Sequence, residues 1–351
     1  MRKKILIAVF GFAAAVIVYF LLDNSENEFY DMRKKHHTRT GFRNTSPDFV
    51  SHGFKEVFKW GVVDRIKGKK PDKPDKYDFE TVDNDGRSLR ENESSFTVTW
   101  IGHSSLFVQI ERQNILIDPV WSDRASPVGF IGPARYVKPG VELKDLPEID
   151  IVIISHDHYD HFDLPTIKKL GNTPKYFIPL GLGSQLEDNG ITNYTELDWW
   201  DKSEISGLEL ICTPAQHFSG RGLKNRNNTL WASWVILGKE RRFYYGGDSG
   251  YFDGFSEIGE KSGPFDIAAL PIGSYKPEWF MSPVHLSPDE ALKVFQELNA
   301  DIMIPIHWGT FELSDEPLDD PPKVLMESAE KMGVDKSRIY LFKHGETRIF
   351  D

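Results

Sequence analysis

From Phe96 to Pro119 apolar and polar residues alternate through "FTVTWIG", "SSLFVQI" and "ILID", with "ERQN" between the last two runs. A period of two broken by a polar turn predicts a β-meander. The pattern then changes: "IDIVIIS", residues 149–155, is a short apolar run rich in β-branched residues, as in a strand buried on both faces. Similar strands are expected at "LELICTP", "RRFYYGGD", "FDIAALPI" and "ADIMIPIHWG", each ending at Pro, Gly or an ionisable residue. Between the last two, "SPDEALKVFQELN" is marked as a helix by Ser287 at the N-cap, Pro288 at the first helical position and Glu290 closing a capping box. Strands mixed with helices over residues 94–351 predict one layered α/β domain.

Before that domain the pattern is different. An uncharged apolar run, residues 5–22, follows Arg2, Lys3 and Lys4 and would make a helix of roughly 27 Å, barely enough to cross a bilayer. No small-x-small cleavage site closes it, so residues 1–22 are expected to be an uncleaved single-span anchor. The basic start and the acidic flank from Asp23 to Asp31 place the remaining chain on the extracytoplasmic, periplasmic side. Residues 23–93, with "RKKHHTR" and "KGKKPDKPDKYD", show neither period and are expected to form a solvated linker and arm.

Composition narrows the function classes. Hydrophobic residues make up 40% of the chain, enough for a substantial core, and the net charge of −11 argues against binding a nucleic-acid backbone. Cys212 is the only cysteine, which excludes an intramolecular disulfide and a multi-cysteine metal site. The composition is compatible with a homodimer.

Candidate chemistry concentrates at the end of the "IDIVIIS" strand, where "ISHDHYDHFD" holds three histidines and three aspartates in ten residues. His156 and His158, two apart, can point the same way, while Asp160 and His161 can turn toward a second centre. Such a cluster behind a buried strand is self-repelling unless a cation compensates it. Further donors follow strands at His217, Asp248 and His307. Each alone reads as a rim residue or a turn; with the loop they form a metal constellation.

These motifs resemble those of the metallo-β-lactamase superfamily. The resemblance implies an αββα sandwich, two mixed β-sheets flanked by helices, here behind an N-terminal membrane-anchor helix. It implies that His156, His158 and His217 hold one ion, Asp160, His161 and His307 a second, and that Asp248 bridges them. Such donors suit two Zn²⁺ ions per chain, although Fe and Mn fit the same set.

The stretches "WIGHSS", "DPVWSDRASP", "LDWWD", "PAQHFSGR", "GGDSGY", "GPFDIAALPIG", "WFMSPVH", "IHWGTF" and "KHGETR" are similar, in order, to those of the N-acylphosphatidylethanolamine-hydrolysing phospholipase D family. That closer resemblance implies a zinc-dependent phosphodiesterase acting on a phospholipid substrate at a membrane and releasing phosphatidic acid and an N-acylethanolamine. Asp160, Asp248 and His285 would carry the catalysis, with a water-derived nucleophile held by the ions. His103 is read either as a hydrogen-bonding partner beside the site or as a rim residue, His285 as a phosphate contact, and Trp279, Phe280 and Met281 as the lining of an acyl groove. Trp199, Trp200, Trp231 and Trp234 are read as core. Two alternatives stand beside this reading: a lactonase or small-ester hydrolase, and a non-enzymatic envelope binding protein.

Overall fold

The computed structural model describes residues 26–350, apart from 70, 75, 94–95 and 223–224. A two-stranded ribbon, β1 (His37–Thr38) and β2 (Gly41–Phe42), belongs to the arm. One seven-stranded sheet has the order β15 (Thr347–Ile349), β3 (Thr97–Gly102), β4 (Ser105–Ile110), β5 (Gln113–Ile117), β6 (Ile151–Ile153), β7 (Lys175–Pro179), β8 (Tyr194–Leu197). It is antiparallel up to β5 and parallel beyond it. The second, six-stranded, has the order β14 (Ala300–Ile306), β13 (Phe265–Pro271), β12 (Arg242–Tyr245), β11 (Ser233–Leu237), β10 (Leu208–Thr213), β9 (Lys202–Ile205). Its β12, β13 and β14 run parallel, the others antiparallel.

The side-chain period of two explains how the sheets stack. Val98, Trp100, Ile115 and Ile153 of the first sheet share a buried cluster with Trp234, Phe243, Ile267 and Ile304 of the second. Their sequence neighbours Ile101, Leu116, Val152 and Ile154 face the other way, packing with Ile167 and Leu186 of the helices Leu164–Leu170 and Gly183–Glu187. On the far side, Val235, Tyr244, Ala268 and Met303 pack with the helices Gly254–Ser262, Pro288–Glu297 and Asp320–Met332. The order helix, sheet, sheet, helix is the αββα sandwich. Burial on both faces is why the parallel strand β6 and most of β13 and β14 read as apolar runs, each such side chain contributing about 2 kcal/mol of burial. The capping box at Ser287 and Glu290 is present, with Glu290 Oε2 accepting from the Ser287 amide at 2.9 Å. Trp199, Trp231 and Trp234 are buried core residues and Trp200 packs against that core.

The expected anchor over residues 1–22 lies outside the described residues. Among the described residues no helix is long and apolar enough to cross a membrane.

The arm departs from the solvated tether that its composition predicts. His36 and His37 are buried, and their Nε2 atoms lie 2.6 and 2.9 Å from the Asp198 carboxylate, which also pairs with Lys34. Burial alone would raise the Asp198 carboxyl, but His36 and Lys34 outweigh it and hold it below the usual carboxylate range. Further on, Lys73 Nζ donates to the Ser314 carbonyl at 2.6 Å and the Tyr77 hydroxyl to Glu312 at 3.0 Å. Lys34, His36, His37, Lys73 and Tyr77 therefore have partners more than a hundred residues away, invisible to any local pattern, while Arg33 and Lys69 stay exposed and pair locally with Asp31 and Asp64.

Candidate metal centre

Both sheets deliver their donors at strand ends. His156 follows β6, His217 follows β10, Asp248 follows β12 and His307 follows β14, while His103 and Asp118 follow β3 and β5. His103, Asp118 and His307 have φ of 54°, 42° and 62°, a left-handed conformation uncommon for non-glycine residues and concentrated at functional sites. Gly247, with φ 57°, is needed beside Asp248: a Cβ there would lie 2.8 Å from the Ser155 Cβ and 3.0 Å from the Ala232 carbonyl oxygen.

The side chains gather into overlapping groups. His156, His158 and His217 offer nitrogens close enough for one ion; His103, Asp160, His161 and His307 form a second group. Asp248 lies between them, its Oδ2 3.1 Å from His307 Nε2, 3.3 Å from His161 Nε2 and 3.8 Å from His217 Nε2. Asp160 Oδ2 is 3.4 Å from His307 Nε2 and 3.5 Å from His161 Nε2. All seven sequence-predicted ligands are thus brought together.

The chemistry of the donor set fits cations. His156 Nε2 faces His158 Nδ1 at 2.8 Å, and His217 Nε2 faces the same atom at 3.2 Å, so three imidazole nitrogens converge. His161 Nε2, His307 Nε2 and Asp248 Oδ1 are buried without a hydrogen-bond partner. Buried polar atoms are almost always satisfied, and a divalent ion would accept these lone pairs together. Burial pushes the His156 and His217 imidazoles well below their ordinary range, leaving neutral rings able to ligate. For Asp160 and Asp248 burial pushes the other way, but neighbouring histidines prevail and keep both carboxylates ionised.

Groups behind the donors fix their tautomers. His217 Nδ1 donates to the Val284 carbonyl at 2.8 Å, and His161 Nδ1 lies 2.7 Å from Asp118 Oδ2. Asp118 also accepts from the Ser155 amide at 2.7 Å and from the Tyr245 hydroxyl at 2.7 Å, and it is fully buried. Asp118 carries no role in the sequence reading, although an ionisable residue at a strand end in "ILIDP" is a signal for one. Asn44 was missed as well: its amide bonds both the His217 carbonyl, at 2.7 Å, and the His217 amide, at 3.1 Å.

The remaining predicted residues separate. His103 joins the second group through Nε2, 2.9 Å from Asp160 Oδ2, rather than standing at a rim. His285 sits at the mouth, partly exposed, with Nδ1 3.7 Å from Asp248 Oδ2 and without a hydrogen-bond partner. Burial pushes its pKa down to about 4, so the ring is neutral near pH 7 and offers a single N–H. Met281 is buried, Phe280 stacks on His52 and Trp60, and only Trp279 of the three is substantially exposed. The expected acyl-groove lining is thus reduced to an aromatic stack shared with the arm.

Comparison with known proteins agrees with this geometry. The family model described as "Beta-lactamase superfamily domain" matches residues 113–308. N-acyl-phosphatidylethanolamine-hydrolyzing phospholipase D 1 of Caenorhabditis elegans is 43% identical over 259 residues, 69% of this chain and 72% of that protein. The mitochondrial N-acyl-phosphatidylethanolamine-hydrolyzing phospholipase D of Saccharomyces cerevisiae is 34% identical, over 75% of this chain and 58% of its own length. In structure, a possible metal-dependent hydrolase from Veillonella parvula aligns with a TM-score of 0.60 at 16% identity, covering 73% of this chain and all of its own, which speaks to the fold alone. With the match spanning more than half its length and the relative's identity at this level, the chain belongs to the metallo-β-lactamase superfamily and, within it, to the family of N-acylphosphatidylethanolamine-hydrolysing phospholipases D.

Proposed function

We propose that this protein is a metal-dependent phospholipase D that hydrolyses N-acylphosphatidylethanolamine-type lipids to phosphatidic acid and an N-acylethanolamine, with two zinc ions per chain. The observation that carries this reading is the Asp248 carboxylate set between two groups of histidines on the edge of an αββα sandwich. The substrate class follows from the names of the relatives. His156, His158 and His217 would hold one ion and Asp160, His161 and His307 the other, with Asp248 shared; a nitrogen-rich set with few carboxylates favours zinc. When bound, the ions supply a nucleophile from water at neutral pH and polarise the phosphoryl oxygens.

The chain's own residues do the rest. Asp118 and the Val284 carbonyl hold the His161 and His217 rings with Nε2 turned inward. Asp160 is fixed by His103 from behind. His285, at the open side, has a free N–H to place on the oxygen that leaves with the ethanolamide, whose alkoxide is far more basic than a phenolate.

Expulsion of a basic leaving oxygen gives a test. His285→Gln is expected to lower kcat on N-acylphosphatidylethanolamine by about 10²-fold but kcat on bis(p-nitrophenyl) phosphate by less than about tenfold. Equal losses on both would remove His285 from the leaving group, and no release of N-acylethanolamine by the unmodified protein would overturn the function.

A further inference from the structure

Two of the three aspartates in "ISHDHYDHFD" are not among the metal donors, and one of them leads to a residue that the chemistry above leaves unused. Asp157 is fully buried; its Oδ1 accepts from the Gly220 amide at 2.7 Å and its Oδ2 from Gln185 Nε2 at 3.3 Å. Beside Gly220 stands Arg221. Its Nη1 donates to the Asp157 carbonyl at 2.6 Å and to the Phe162 carbonyl at 2.8 Å. One nitrogen, with two hydrogens to give, thus joins the two ends of the arc 157–162, and His158, Asp160 and His161 all lie inside it.

Further contacts fix the guanidinium itself. It lies over the Tyr159 ring, 3.9 Å from the centroid, and the Tyr159 hydroxyl donates back to the Arg221 carbonyl at 2.8 Å. Burial pushes the Arg221 pKa down, and a cation withdrawn from water in this way needs strong acceptors, which the two carbonyls supply. Inside the arc a single acceptor closes the turn: the His161 and Phe162 amides both donate to the His158 carbonyl, at 3.1 and 2.8 Å. Those local bonds do not reach Asp157, so the tie between the two ends comes from outside the arc. Its source is telling. Arg221 lies four residues after His217, on the loop that follows β10 of the second sheet, whereas the arc follows β6 of the first. The clamp therefore joins the loops through which both sheets deliver donors.

We propose that Arg221 is a positioning residue for the metal centre: its guanidinium closes the arc 157–162 and sets the placement of the donors that the arc supplies, above all Asp160 and His161. The inference rests on the two-ion reading for what those donors hold, and the clamp is measured separately from it. The arc gives Asp160 and His161 to the second group but only His158 to the first, so opening it weakens the second ion more. Arginine is required rather than any cation, since lysine has no planar fork to lie over Tyr159 while donating to both carbonyls.

Arg221→Lys keeps the charge and tests the geometry. In the metal-free full chain, hydrogen exchange of the His161 and Phe162 amides is expected to quicken by about tenfold or more in this variant, with the amides of β4 unchanged. The metal readout uses ¹¹³Cd²⁺, whose two sites are expected to give separate resonances; the one lost in His307→Ala marks the second group. Under a competing chelator, Arg221→Lys is expected to lower the affinity of that ion by about 10–100-fold and of the other by less than about tenfold. Tyr159→Phe, which removes only the hydroxyl that steadies Arg221, is expected to move both readouts the same way by less, and it carries the test should Arg221→Lys not fold. Faster exchange with both affinities unchanged would make the clamp purely structural, and equal losses at both ions would reduce it to a general loosening. Unchanged exchange would show that the arc holds without Arg221. Each of these results overturns the proposal. If the unmodified protein takes up fewer than two ions, the two-ion reading falls while the exchange rates still decide whether Arg221 closes the arc.

Discussion

Replacing Asp248 with asparagine is expected to lower turnover by about 10³-fold, equivalent to about 4 kcal/mol of transition-state stabilisation, while leaving the fold in place. The carboxylate is buried and lies within 3.1–3.8 Å of histidines from both groups, which places it to serve both. Asparagine keeps the shape but would remove the negative charge between the two dications proposed for this site, raising their mutual repulsion in a buried site. Metal content by plasma emission spectroscopy should drop from two per chain toward one. Near-normal turnover with full metal would reduce Asp248 to a turn residue after β12.

Asp118→Asn is expected to cost about 10–100-fold in activity and in metal affinity, although Asp118 stands behind the ligands. Its carboxylate fixes His161 as the Nδ1–H tautomer, which leaves Nε2 free as a donor. An asparagine there can present an NH₂ to Nδ1 and stabilise the opposite tautomer, with the proton on the nitrogen that would bind metal in the proposed site. It also loses a charged acceptor for the Ser155 amide and the Tyr245 hydroxyl, so a modest fall in Tm is expected as well. Titration with Zn²⁺ against a competing chelator separates the two consequences. Unchanged metal affinity with a lowered Tm would make Asp118 a purely structural group.

How far the sequence reveals this protein depends on how local each signal is. The crowded loop from His156 to His161 is legible because its donors lie within six residues and sit behind a strand whose apolar run is unmistakable. The helix Pro288–Glu297 is legible for a similar reason, since its capping box spans four residues. His217, Asp248 and His307 needed the fold to join them, and the regular return of strand ends supplied it. The arm is illegible: Lys34, His36 and His37 read as a solvated basic patch because Asp198, the carboxylate they all contact, is more than 160 positions away. Asn44 shares that fate, as nothing around it suggests that it brackets the backbone of a histidine at position 217. Met281 and Phe280 misled in the opposite direction, because large apolar residues near a site look like groove lining until packing shows one buried and the other stacked.

Hydrolysis of N-acylphosphatidylethanolamine in ¹⁸O-water tests the central claim most directly, since it identifies the bond that breaks. The anionic phosphoryl oxygens are the hard ligands that two divalent ions would hold, whereas the neutral acyl ester and amide carbonyls compete poorly for them. Attack on phosphorus on the headgroup side puts the label in phosphatidic acid and leaves the N-acylethanolamine unlabelled, as mass spectrometry would read. Label in a free fatty acid, with the phosphodiester intact and no phosphatidic acid formed, would contradict it and make this site an esterase.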